Sequence, residues 1–223
     1  MPKITHLIYD LDGLLLDTET LHTKVNQMIA NRYGQTIDPA LQFKLCGRKS
    51  KDSAKLIVET LKLPVTVETY IQEKDAIIYQ YYPNVPPLAG AVRLTQHFAA
   101  HQIPQAIATS SSSRPFAAKT QSHQAWFSIF KYIIKGDNPS IKQGKPAPDI
   151  FLIAAEELGA KPEQCLVFED SLAGVAAARA AQMSVVAVPA PDMDKSLYTE
   201  ADQVLNSLAE FKPQDWELPA FKE

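Results

Sequence analysis

Cysteine is scarce in this chain: two in 223 residues, Cys46 and Cys165, far apart and without metal-ligand spacing. That argues against both a disulfide framework and a zinc site built on thiolates. Each lies in an apolar setting, Phe43-Lys44-Leu45-Cys46 and Cys165-Leu166-Val167-Phe168, and is expected to be a buried free thiol in a reducing compartment. Long apolar runs are also missing, and none approaches the roughly 20 residues of a membrane span. The opening Met1-Pro2-Lys3-Ile4-Thr5-His6 leads into a short apolar segment that ends at Asp10, too short and too soon acidic for a signal peptide. The chain is therefore expected in the cytoplasm, with no membrane partner. Charge of neither sign dominates: 22 Lys and Arg against 25 Asp and Glu give a formal net charge of -3, interspersed rather than in blocks. Nothing electrostatic argues for a nucleic-acid polymer as partner. A phosphate site remains compatible, because it needs local positive potential and not a basic protein. No internal repeat is present.

What the chain does contain is ordinary globular material, 46% hydrophobic and 21% charged, long enough for a sizeable buried core. Short apolar runs bounded by turn or polar residues predict strands over 5–9, 105–108, 165–168 and 184–188, with weaker candidates at 132–134 and 203–205. Helical patterns fill 88–101, 115–123, 148–158 and 172–182. Strand alternating with helix implies a parallel sheet with helices on both faces, a Rossmann-like α/β core. Residues 17–83 differ: helix-like stretches over 20–33, 53–63 and 66–82 have no convincing strand between them. They read as a helical cap domain inserted after the first strand, between core segments 1–16 and 84–223. Prolines at 83–87 stiffen the return.

In an open parallel sheet, ligands bind beyond the carboxyl ends of the strands. Asp10 and Asp12 follow the first predicted strand, Thr109 and Ser110 the second, and Glu169 and Asp170 the fourth; Lys145 lies in Gly144-Lys145-Pro146-Ala147-Pro148-Asp149, ahead of a helix. Read singly, these have plainer accounts: a turn at Asp12-Gly13, a capped helix after Thr109 to Ser113, a surface lysine, a dipole-complementing Glu169-Asp170 pair. Read together, they converge on one rim. Paired carboxylates repel each other and a phosphate dianion, and a divalent cation drawn to Asp10, Asp170 and Glu169 relieves both repulsions. All-oxygen donors suit magnesium. Lys145 adds positive charge, and the Thr109 hydroxyl with nearby backbone N–H groups can hold phosphoryl oxygens.

Asp10-Leu11-Asp12-Gly13-Leu14-Leu15-Leu16-Asp17-Thr18 resembles the first motif of haloacid dehalogenase superfamily phosphatases. Ala106-Ile107-Ala108-Thr109-Ser110 resembles the second, the Lys145 loop the third, and Phe168-Glu169-Asp170-Ser171 the fourth, in the same order. The resemblance implies a core with a helical cap and catalysis through an aspartyl-phosphate. By it, Asp10 is the nucleophile, Asp12 the acid and then the base, and Thr109 and Lys145 hold the transferring phosphoryl group. Magnesium is expected on the Asp10 carboxylate, the Asp12 main-chain carbonyl and Asp170, with Glu169 a ligand or close neighbour. Asp12 and Asp170 argue against the superfamily's metal-free dehalogenase chemistry.

Similarity beyond the motifs, in Asn31-Arg32-Tyr33, His123 to Phe130 and Val204-Leu205-Asn206-Ser207-Leu208, points to the branch acting on pseudouridine 5′-phosphate, with glycerol 3-phosphate and sugar phosphates as alternatives. A phosphomutase of the same family carries Gly-x-Ser-Arg in its cap; here Gly47-Arg48-Lys49-Ser50 has Ser50 at that arginine. A non-catalytic binding module would lack the nucleophile, which is present. The expected partner is a small-molecule phosphate ester, bound by a monomer. Glu19 and His22, just past the first motif, and Arg48, within the basic cluster Arg48, Lys49, Lys51 and Lys55, are candidate contacts to it. His97 and His101, and the aromatic group Trp126, Phe127 and Phe130, are expected to be structural.

Overall fold

The strand segments are apolar at nearly every position because both faces of the sheet are covered. In the computed structural model, which describes residues 3–45 and 50–221, they are β1 (His6–Tyr9), β2 (Gln105–Thr109), β3 (Tyr132–Lys135), β4 (Cys165–Glu169), β5 (Ser184–Ala187) and β6 (Gln203–Val204). The sheet is parallel throughout, in the order β3-β2-β1-β4-β5-β6. The order turns outward in both directions from β1 and β4, so the crevice between their carboxyl ends is the topological switch point.

Alternation along the strands sorts the core into two layers. Leu7 and Tyr9 pair in register with Leu166 and Phe168 and face one side; Ile8 and its partner Val167 face the other. Tyr9 stacks on Phe168 at 5.0 Å between ring centroids, and its hydroxyl donates to Gln105 Oε1 at 2.9 Å, so the phenol is buried with its polar end satisfied. Phe98, Trp126, Phe127 and Phe130 close the first layer, as expected for a packing role. Phe151 and Val175, from the helices over 149–158 and 172–180, close the second. His97 is likewise structural, with Nε2 hydrogen-bonded to the Pro219 carbonyl at 2.7 Å.

Between β1 and β2 the chain runs through α1 (Thr18–Arg32), α2 (Pro39–Leu45), α3 (Ser50–Thr60), α4 (Val67–Tyr81) and α5 (Ala91–Ala100). Apolar side chains of α1 to α4, among them Val25, Ile29, Ile57 and Ile78, form a third cluster of their own. Where this stretch leaves and rejoins the sheet, the two connections are hydrogen-bonded to each other: Asp17 N–H to the Pro86 carbonyl at 2.9 Å and Leu88 N–H to the Leu15 carbonyl at 2.9 Å. Leu11, Leu14, Leu15 and Leu16 are buried beneath that junction. At about 1.5–3 kcal/mol for each fully buried side chain, they fix the loop that carries Asp10 and Asp12. The helix α2 was not expected from the sequence. Asp38 Oδ1 accepts from Leu41 N–H at 2.7 Å and Pro39 opens the helix, so an N-cap followed by proline was its signal.

After β2 come α6 (Ser113–Thr120), α7 (Gln124–Phe127), α8 (Asp149–Leu158) and α9 (Leu172–Ala180). Cys165 is a buried free thiol, while Cys46 lies outside the described residues. Among the described residues no helix is long and apolar enough to cross a membrane.

Phe98 tests the first layer at a distance from the strand ends, since its ring is fully buried and meets Phe211 edge-on at 6.4 Å. Phe98→Ala is expected to cost about 3–5 kcal/mol in a urea titration. A loss below about 1 kcal/mol would mean that α5 does not pack on the sheet as described.

Candidate active site

Three strand ends deliver side chains to the switch point. Asp10 follows β1, Thr109 ends β2 and Glu169 ends β4, and Asp10 N–H donates to the Phe168 carbonyl at 3.0 Å, which draws the first and last together. Lys145 reaches in from its loop. Its ammonium donates to Asp10 Oδ1 at 2.5 Å, to Glu169 Oε1 at 2.5 Å and to the Ala108 carbonyl at 3.1 Å. Asp10, Lys145, Thr109 and Glu169 are all buried.

These charges set one another. Burial opposes the charge on Lys145, but Asp10 and Glu169 outweigh it and hold the ammonium above the ordinary lysine range. Burial pushes Asp10 up to about 7; Lys145 pulls it down, while the charges of Glu169 and Asp12 push the same way as burial. Glu169 has both oxygens committed: Oε1 to Lys145, and Oε2 to Asp170 N–H, Ser171 N–H and Ser171 Oγ at 3.0–3.1 Å. In this geometry Glu169 orients Lys145 and braces Ser171, which caps α9 by accepting from Gly174 N–H. Only a glycine at 174 permits that, since a Cβ there would sit 1.9 Å from the Glu169 carboxyl.

Asp12 has two donors of its own. Its Oδ1 accepts from Lys119 Nζ at 2.6 Å and its Oδ2 from Ser111 Oγ at 2.7 Å. Burial raises the Asp12 carboxyl, but Lys119 and Ser111 overcome it and hold it below the usual carboxylate range. Neither partner was anticipated from the sequence. Ser111 lay inside a serine-rich patch of which only Ser110 was singled out; Ser110 itself is exposed, with its backbone packed on Gly136. Thr109 Oγ1 accepts from Ser111 N–H at 3.0 Å.

Asp170 is the carboxylate without a counter-charge. Among the described residues no lysine or arginine is within ion-pair distance of it. Burial, then the charges of Glu169 and Asp10, push its pKa well above the usual range. Its Oδ2 sits over the peptide after Asp12, where a Cβ on Gly13 would come within 2.4 Å. Gly13 also has φ +82°, a conformation that L side chains rarely adopt. Among the described residues no three Asp, Glu, His or Cys side chains form a ready metal cage. The fit to a metal lies instead in the chemistry of the donors, hard oxygens crowded until two carboxyls are raised, which suits a cation that completes its shell with water and phosphate.

Glu19 and His22 stand beside this group on α1. His22 packs edge-on to Tyr82 at 6.5 Å, its Nδ1 finds no protein partner, and burial with the nearby Lys74 and Lys119 pushes it down to about 3. Lys74 of α4 is buried, which pushes it down to about 8 against the pull of Glu19. Arg48 lies outside the described residues. Of its basic neighbours, Lys51 and Lys55 are exposed. A crevice of about 650 Å³ opens on Gly13 and Asp170, walled by Leu14, Glu19, Gln42, Leu172, Pro189 and Met193. It adjoins the strand-end cluster and does not touch Asp10, Thr109 or Lys145.

Comparison with known proteins agrees with this arrangement. Residues 7–188 match the family model for haloacid dehalogenase-like hydrolases. The chain is 43% identical to (DL)-glycerol-3-phosphatase 1, mitochondrial, of Arabidopsis thaliana, over 99% of this chain and 76% of that protein. It is 42% identical to a Drosophila melanogaster protein named probable pseudouridine-5′-phosphatase, over 98% of this chain and 96% of the other. The solved structure of a HAD hydrolase, family IA, variant 3, from Entamoeba histolytica superposes with a TM-score of 0.78 at 26% identity, covering 96% of this chain and 97% of that one. With the motif residues gathered at the switch point of a parallel sheet, the chain belongs to the haloacid dehalogenase-like hydrolase family, as a phosphoric monoester hydrolase.

Proposed function

We propose that the protein is a magnesium-dependent phosphomonoesterase that works through an aspartyl-phosphate on Asp10, with residues 17–83 as a cap over a core of 1–16 and 84–223. The observation that carries this reading is the convergence of Asp10, Asp12, Thr109 and Lys145 at one switch point. A carboxylate oxygen of Asp10 attacks the phosphorus, the ester P–O bond breaks, and Asp12, having first taken up a proton from solvent, passes it to the departing alkoxide. Water then attacks the aspartyl-phosphate, loses a proton to Asp12, and displaces inorganic phosphate, which restores Asp10. Dividing the reaction this way replaces one difficult displacement by two easier ones. Lys145, the Thr109 hydroxyl and the backbone at Ser110 hold the phosphoryl oxygens, so positioning and charge neutralisation supply most of the acceleration.

Asp10, the Asp12 main-chain carbonyl and Asp170 would hold magnesium, with Glu169 beside them, and the ion would neutralise phosphoryl charge. The uncompensated Asp170 supports this set. Helices α1 to α4 would cover the site and exclude water from the first step. Glu19, His22 and Arg48 are the proposed contacts to the leaving group. A His22 held far below the ordinary range is neutral at pH 7 and would offer hydrogen bonds, not charge.

For the substrate we propose pseudouridine 5′-phosphate. The Drosophila melanogaster relative named probable pseudouridine-5′-phosphatase supports it. Glycerol 3-phosphate is the second reading, favoured by the 43% identity to a glycerol-3-phosphatase. The free buried thiol of Cys165 supports a reducing compartment, and we keep the cytoplasm as its proposed location.

Phosphate release from both esters, with magnesium and with a chelator, tests the assignment. The expected result is loss of turnover with chelator, recovery with magnesium, and a preference for pseudouridine 5′-phosphate of about a hundredfold in kcat/KM, roughly 2.7 kcal/mol of discrimination. Preference for glycerol 3-phosphate would transfer the assignment to the second reading. Asp10→Asn is expected to lower turnover by about a thousandfold or more while the protein still folds. Near-normal rates in that variant would exclude Asp10 as the nucleophile.

A further inference from the structure

We propose that Lys119 is a positioning residue for Asp12, and that with Ser111 it clamps both oxygens of that carboxylate into the orientation the reaction needs. The inference rests on the phosphatase reading above, in which Asp12 serves as acid and base.

The three side chains form a closed triangle. Lys119 Nζ lies 2.6 Å from Asp12 Oδ1 and 2.8 Å from Ser111 Oγ, and Ser111 Oγ lies 2.7 Å from Asp12 Oδ2. An aspartate on a loop has a loosely defined terminal torsion, and one donor would leave it free to swing. Donors on both oxygens stop the rotation, while each oxygen keeps further lone-pair capacity for a substrate or water. Ser111 is anchored in turn by its N–H on Thr109 Oγ1 at 3.0 Å, so the clamp shares its footing with the second strand.

Lys119 is placed for this role. It sits in the last turn of α6, 3% exposed, with its ammonium 5.1 Å above the ring of Tyr82. Its three N–H groups face Asp12, Ser111 and an aromatic face, which uses the whole donor set of a lysine. Tyr82 packs against His22 and Tyr79, so the clamp abuts the place where the helical stretch rejoins the sheet. A displacement of about 1 Å in a reacting group can cost about a hundredfold in rate, which makes a rigid hold on Asp12 worth a buried charge.

A general acid matters for a poor leaving group and little for a good one, so the test compares two esters at saturating magnesium. An alkyl phosphate such as glycerol 3-phosphate must have its alkoxide protonated, whereas p-nitrophenolate departs unaided. Lys119→Met is expected to lower kcat on the alkyl ester by about 10- to 100-fold with KM nearly unchanged, while the first-turnover burst of p-nitrophenolate stays within about threefold of the parent. In an Asp12→Asn background the same substitution is expected to have no further effect on the alkyl ester. Ser111→Ala should shift the alkyl ester in the same direction by a smaller factor, and it carries the test if Lys119→Met does not fold. Equal losses on the two esters, or a full additional loss in the Asp12→Asn background, would overturn the positioning role. A parent enzyme that turns over neither ester would overturn the phosphatase reading and this inference together, whereas an active parent matched by Lys119→Met would overturn the inference alone.

Discussion

The ammonium of Lys145, bridging Asp10 at the end of β1 and Glu169 at the end of β4, is the interaction on which the rest of the site depends. It spans the two strands that flank the switch point, and each of its ion pairs is 2.5 Å long. Removing one partner of such a buried pair leaves an uncompensated charge and costs about 3–5 kcal/mol. The neighbouring structure follows from keeping the pair dry and in register. Glu169 must stay pointed at Lys145, so its second oxygen is tied to Asp170 N–H and to Ser171, the residue that caps α9. That helix can come so close only because residue 174 has no side chain.

A second lysine repeats the logic one step away. Lys119 neutralises Asp12 as Lys145 neutralises Asp10, so Asp10 and Asp12 each have a buried cation. Among the described residues Asp170 has no such ion pair, and burial beside Glu169 and Asp10 raises its carboxyl. In the proposed reaction Asp10 and Asp170 would hold magnesium, which would neutralise phosphoryl charge alongside Lys145. Destabilising crowding of like charge is thus retained where chemistry uses it and cancelled elsewhere.

Much of this was legible in the sequence. The runs over 5–9, 105–108 and 165–168 announce themselves as strands because two-sided burial demands mostly apolar runs, and the polar residues that follow them mark the rim. Asp10, Asp12, Thr109 and Asp170 were visible for that reason, and Lys145 by its loop Gly144-Lys145-Pro146-Ala147-Pro148-Asp149 ahead of a helix. Lys119 was not, because it lies in the last turn of a helix, in Phe116-Ala117-Ala118-Lys119-Thr120, where periodicity cannot distinguish a lysine bound for solvent from one bent into the core. Ser111 was hidden among identical neighbours, and only the turn after β2 decides which of them reaches Asp12. The commitment of Glu169 to Lys145 was also beyond reach, since a Glu-Asp pair at a strand end fits metal ligation and helix capping equally well. The short helix over 39–45 illustrates the same limit, because seven residues carry too little periodicity and only the Asp38-Pro39 start reveals them.

The central claim is that Asp10 becomes covalently phosphorylated, and acid-quench trapping tests it most directly. The enzyme would be mixed with excess substrate and magnesium, quenched in acid within the first turnovers and digested, and its peptides examined by mass spectrometry. The account predicts a phosphoryl group on the peptide containing Asp10, absent without substrate and absent from Asp10→Asn. Rapid phosphate release with no adduct on that peptide, or an adduct on another residue, would contradict it.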